Sequence, residues 1–168
     1  MSSFKPYLCL AAKKGGGIFQ SLRALENHHK STTGMVIIMN EIWKRMYDAA
    51  ISVQNPRDVS EKIYAGSVAA AVESASGKIY VGVCVDTACT LGICAERNAI
   101  FNMITNGENE IRRVIAIMSN GKTGAPCGAC REFMTQLMPD SYRDVEIMMD
   151  YESGTVKALG ELTPDWWI

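Results

Sequence analysis

The sequence predicts a single α/β domain built on a mixed sheet. Three observations carry that prediction. Apolar runs of strand length alternate with segments of helical periodicity, and a two-residue turn separates the first two runs. The chain of 168 residues also suits one domain on a prior of about 150 residues each. A hydrophobic content of 48% is enough for a single core, and no internal repeat is apparent.

Residues 1–38 read as an N-terminal extension, expected to be poorly ordered and dispensable. They hold Gly15-Gly16-Gly17, His28-His29 and the polar string from Lys30 to Gly34, which is linker chemistry. The catalytic domain is expected over 39–168. Ile42, Trp43, Met46, Ala49, Ala50 and Val53 recur at helical spacing up to Asn55-Pro56. Val68 to Val72 and Ile79 to Val85 are β-rich runs joined by Ser76-Gly77, a hairpin signal. Cys94 to Asn106 is a helix pattern stopped by Gly107, and Val114 to Met118 is a buried strand. Cys127 to Met138 is a further helix, closed by Pro139. Val145 to Met149 and Thr155 to Leu159 complete the strands, the last following the Ser153-Gly154 turn.

Charge narrows the function. A formal net charge of -1, with Lys and Arg spread along the chain, argues against a nucleic-acid partner, because such binders concentrate cations to displace counterions. No apolar run reaches the length of about 18 residues that a membrane helix needs. The short run Tyr7 to Ala12 ahead of Lys13-Lys14 is no secretory signal, so the cytoplasm is the expected location. In that compartment cysteines are metal ligands or small hydrophobes rather than disulfide partners.

The chemistry concentrates in Cys94-Ala95-Glu96 and Pro126-Cys127-Gly128-Ala129-Cys130. Cys94, Cys127 and Cys130 offer three thiolates, and Glu96 is a carboxylate that need not be a ligand. Zinc held by only three protein ligands keeps an open position for water, and a carboxylate beside the metal can move that water's protons. Zinc deaminases carry this signature: a His or Cys, a nearby Glu, and a distant Pro-Cys-x-x-Cys. Both ligand segments begin predicted helices, where free N–H groups and the helix dipole stabilise thiolates. Arg97 is placed to donate to the ligand sulfurs and offset their negative charge. One alternative stays open: Cys84 or Cys89 supplies a fourth thiolate, closing the metal into a non-catalytic zinc-binding domain.

Cys94-Ala95-Glu96-Arg97 with Pro126-Cys127-Gly128-Ala129-Cys130-Arg131 resembles the cytidine deaminase family, and Glu161-Leu162-Thr163-Pro164 is similar to a motif near the end of cytidine and blasticidin S deaminases. The resemblance runs from the helix near Asn40 to the tail. It implies a three-layer α/β/α sandwich with a mixed five-stranded sheet, zinc on Cys94, Cys127 and Cys130, and Glu96 as the proton shuttle. The implied reaction is hydrolytic deamination of cytidine, deoxycytidine or a similar nucleoside, with blasticidin S-type aminonucleosides as the alternative. It also implies that backbone N–H groups of Ala95 and Cys127 lie close to the attacking oxygen, and that the chain forms a homo-oligomer, a tetramer or a dimer.

The substrate side departs from the family. Where cytidine deaminases carry an Asn-x-Glu that grips the ribose, this chain has Cys84 and Asp86. A thiol is a weak donor and acceptor, whereas Asp86 can still accept from a hydroxyl. Trp166 and Trp167 close the chain and are candidates to lid the pocket or stack on a heterocycle; subunit packing is the competing reading.

Overall fold

The computed structural model describes residues 41–167. The expected extension over 1–38 lies outside them. The first element is helix α1 over 41–53, followed by strands β1 (Arg57–Ser60), β2 (Ile63–Ser74) and β3 (Ile79–Thr87). Helix α2 (Ala95–Thr105), strand β4 (Ile111–Ile117) and helix α3 (Gly128–Leu137) come next. Strands β5 (Glu146–Asp150) and β6 (Thr155–Ala158) and a one-turn helix α4 (Leu159–Leu162) end the domain.

The strands form one mixed sheet in which β2 pairs antiparallel with β3 and β4, β4 runs parallel to β5, and β6 returns antiparallel to β5. The sheet has six strands rather than five. The extra strand is β1, which pairs with Ile63–Ala65 on the edge of β2 that β4 occupies farther along. All four β1 residues are exposed, so main-chain pairing alone holds the strand.

Successive side chains of a strand point to opposite faces, and here each face has its own cover. Ala69, Ala71, Ile115, Ile117 and Met148 pack on Trp43, Met46 and Ala50 of α1. The alternate residues Val72, Val114 and Ile147 pack on Ala99, Ile100 and Met103 of α2 and Met134 of α3. This is the three-layer sandwich. The small residues Ala69, Ala70 and Ala71 at the centre of β2 are fully buried and let helices approach on both faces. At the far end of the sheet, Arg113 bridges Glu73 at 2.7 Å and Glu146 at 2.6 Å, tying β2, β4 and β5 together.

Helix α2 lies unusually close to β3. A Cβ at Gly82 would sit 2.3 Å from the Ala99 nitrogen and 2.8 Å from the Ala95 carbonyl oxygen, so only glycine permits the approach. The edge of β3 that β2 does not use is occupied by α2 and its lead-in. Val85 exchanges two 2.9 Å backbone hydrogen bonds with Ile93. Asn98 Nδ2 donates to the Val83 carbonyl and Asn102 Nδ2 to the Val81 carbonyl. An open strand edge invites pairing with other chains, and this one is closed by the helix that carries the motif.

Candidate active site

Cys94 and Cys127 occupy the same structural position: each is the extended residue that immediately precedes a helix, α2 and α3 respectively. Their sulfurs stand 3.4 Å apart, and the Cys127 and Cys130 sulfurs 3.5 Å apart. All three lie within 4.8 Å of one another. Tetrahedral zinc with bonds of about 2.3 Å would separate its sulfurs by about 3.8 Å, so the spacing fits. Neither Cys84 nor Cys89 joins the group, which removes the closed four-thiolate alternative among the described residues.

Three sulfurs this close cannot all ionise without a cation between them. Burial pushes the Cys94 thiol up, as does its neighbour Cys127. Cys130, fully buried, is pushed far up by burial first and then by the Glu96 charge. Cys127 alone is lowered: burial opposes ionisation, but the Cys130 backbone N–H and the Cys94 and Cys130 thiols outweigh it. Arg97 Nη2 reaches Cys94 Sγ at 3.8 Å.

Glu96, in the first turn of α2, is 5% exposed. Burial raises its carboxyl above the usual range, while its own backbone N–H, the Cys130 thiol and Arg97 pull it partly back. Glu96 shares a cleft of about 320 Å³ with Cys94, Ala95, Arg97 and Cys127. Ser67, Cys84, Asp86 and the exposed Met118 also line it. Cys84 and Asp86 thus fall in the cleft as the sequence anticipates; Ser67 was not anticipated, because a serine inside a strand gives no signal of its own.

Trp166 and Trp167 are not among the residues that line this cleft. Their indole N–H groups both donate to Glu132 of α3, at 2.9 and 3.0 Å, and Trp166 packs edge-on against Tyr142. The carboxylate of Glu132 draws the tail onto α3, so within one chain the two tryptophans neither lid the pocket nor stack in it. Arg131 reinforces the same junction by donating to the Pro126 and Leu162 carbonyls at 2.8 and 3.1 Å.

A mixed sheet whose flanking helices bring three thiols within 4.8 Å of one another, beside a buried carboxylate that lines a cleft, has the make-up of a zinc-dependent hydrolase. The family model described as the cytidine and deoxycytidylate deaminase zinc-binding region matches residues 25–143, and the chain belongs to that family. It is a zinc-dependent deaminase. Among its relatives, the cytidine deaminase of Halalkalibacterium halodurans is 28% identical over 101 residues, covering 58% of this chain and 74% of the relative. Cytidine deaminase 3 of Arabidopsis thaliana is 32% identical over 104 residues, which span 47% of its length. Among solved structures, the cytidine deaminase of Mycobacterium leprae superposes with a TM-score of 0.60 at 25% identity, covering 73% of this chain and 98% of that one. No described helix is long and apolar enough to cross a membrane.

Proposed function

We propose that this deaminase hydrolyses the exocyclic amine of cytidine, deoxycytidine or a cytidine-like nucleoside, releasing ammonia. The observation that carries the reading is the placement of Glu96, buried two residues from Cys94 and inside the cleft that Cys94 and Cys127 line. Cys94, Cys127 and Cys130 are the residues that would hold zinc. Bound there, the metal supplies an open coordination position and lowers the pKa of its water towards about 7. Glu96 would carry the water's two protons in turn, the first to the ring nitrogen as the oxygen bonds to the ring carbon, the second to the amine as the C–N bond breaks and ammonia leaves. A carboxyl raised by its burial suits both directions of transfer. Arg97 draws charge from the Cys94 sulfur, and Ala95, at the start of α2, offers a backbone N–H that has no helical partner.

The cleft's charge supports a nucleoside over a nucleotide. Its walls carry the carboxylates of Asp86 and Glu96, and its one cationic lining residue, Arg97, is already engaged by Cys94. A phosphate would enter beside two carboxyl groups, and among the described lining residues Arg97, which donates to Cys94, is the one cation that could receive it. Self-association belongs to the same reading and is supported by Phe101 and Ile104, each 41% exposed on α2. A cytoplasmic location is supported by the unpaired state of the cysteines among the described residues.

The test is ammonia release by zinc-loaded protein from cytidine, deoxycytidine, deoxycytidylate and blasticidin S in parallel, with Glu96→Ala as the blank. Release from the nucleosides and not the phosphate ester is expected. Release from deoxycytidylate alone would overturn the substrate assignment, and release from blasticidin S alone would move it to an aminonucleoside.

A further inference from the structure

Between Ala65 and Ala69 the pairing of β2 with β3 skips. Ala65 faces Val85 and Ala69 faces Val83, so Gly66, Ser67 and Val68 all stand opposite the single residue Cys84. Bulges of this kind re-aim side chains and often border active sites. Gly66 makes the fold possible with φ +86, where a Cβ would meet the Asn55 carbonyl oxygen at 2.1 Å. A bulge leaves main-chain groups without ladder partners, and two side chains receive them. Gln54 Nε2 donates to the Ser67 carbonyl at 2.9 Å. Cys84 Sγ accepts the Val68 N–H at 3.2 Å and also meets Ser67 Oγ at 3.2 Å.

The thiol of Cys84, 7% exposed, is thus spent on the bulge rather than offered to a ligand. Ser67 is what the bulge presents. A hydroxyl has one donor and two acceptor sites, and its contact with Cys84 uses one of them. Ser67 and Asp86 both line the cleft, and Asp86 Oδ2 lies 3.9 Å from the same Cys84 Sγ.

We propose that Ser67 and Asp86 form the hydroxyl-recognising wall of this cleft, with Cys84 as the positioning residue that fixes the Ser67 hydroxyl. The inference rests on the nucleoside reading above and sharpens it. The heterocycle carries a hydroxylated substituent, read by a neutral hydroxyl and a carboxylate that both stand next to Cys84.

The experiment compares kcat/KM for cytidine with that for its 2′,3′-dideoxy counterpart. The wild type should prefer cytidine. Ser67→Ala should cut that preference about 3- to 10-fold, the value of one neutral hydrogen bond, acting on KM more than on kcat. Cys84→Ala should reproduce the loss, Cys84→Ser should restore most of it, and the Ser67→Ala/Cys84→Ala pair should lose no more than either alone. Should Cys84→Ala not fold, Ser67→Ala decides. Wild-type turnover with an unchanged preference in Ser67→Ala would overturn this inference alone. Absence of ammonia from either compound with the wild type would remove the nucleoside reading and this inference with it.

Discussion

Asn98 Nδ2 donates to the Val83 carbonyl at 2.9 Å, joining the helix that carries Glu96 to the free edge of the strand that carries Asp86. Asn98 lies one turn after Cys94, and Val83 one residue before Cys84. The bond therefore sets the floor of the cleft against its wall. Asn102 repeats the contact a turn later at 3.2 Å to Val81, and the Val85–Ile93 pair completes the seam.

Removing that donor strands a part-buried carbonyl. Asn98→Leu is expected to cost about 1–3 kcal/mol of stability, seen as a lowered urea midpoint at an unchanged slope. Asn102→Leu should cost less, because its contact is longer and exposed. Equal stability of Asn98→Leu and wild type would mean that packing alone holds the seam.

Gly82→Ala tests the same seam by steric means. The added methyl would sit 2.3 Å from a backbone nitrogen, which no rotamer change can relieve. A destabilisation above about 1–3 kcal/mol is expected, together with weakened zinc retention, since α2 must move away with Cys94. Circular dichroism melts and metal content measured on the same sample check both effects.

Much of this was legible in the sequence for identifiable reasons. Cys94, Glu96, Cys127 and Cys130 sit in short local motifs at helix starts, so spacing alone brings each group to a helix end and the sheet order makes the ends converge. Strands β2 to β6 announce themselves because their apolar residues feed one face or the other of a sheet covered on both sides. Strand β1 does not, because Arg57-Asp58-Val59-Ser60 is exposed and is held by backbone pairing that leaves no hydrophobic trace. Ser67 was missed because the bulge that aims it depends on Gly66, Asn55 and Cys84, which meet only in the fold. Nothing local reveals that Glu132 receives both indole N–H groups of Trp166 and Trp167.

Metal removal has a chemical readout independent of turnover. With zinc bound, Cys94 and Cys127 should resist a thiol reagent; stripping the metal with a chelator should make both reactive, whereas Cys130, fully buried, should react only once the chain is unfolded. Reactivity of Cys94 or Cys127 that does not change on metal removal would mean that its sulfur is not a ligand.

Glu108 gives the acid limb of stability a specific origin. The Ser74 hydroxyl and then the Lys78 ammonium, joined by Ser76 and Tyr80, hold its carboxyl down at about 2. A carboxyl depressed in the folded state contributes fully above its ordinary value of about 4.3 and loses that contribution as the pH falls through its folded value. Glu108→Gln should therefore be less stable than wild type at neutral pH. The difference should narrow across the acidic range and close below about 2. A constant difference over the whole range would assign the effect to packing.

We assign to Glu96 the proton transfers of a zinc-dependent deamination. The most direct test is the turnover of Glu96→Gln with cytidine, measured on protein whose zinc content is quantified in parallel. One zinc per chain, as in the wild type, is expected, with a fall in kcat of about 100- to 10,000-fold. Turnover near the wild-type rate with zinc retained would contradict the assignment.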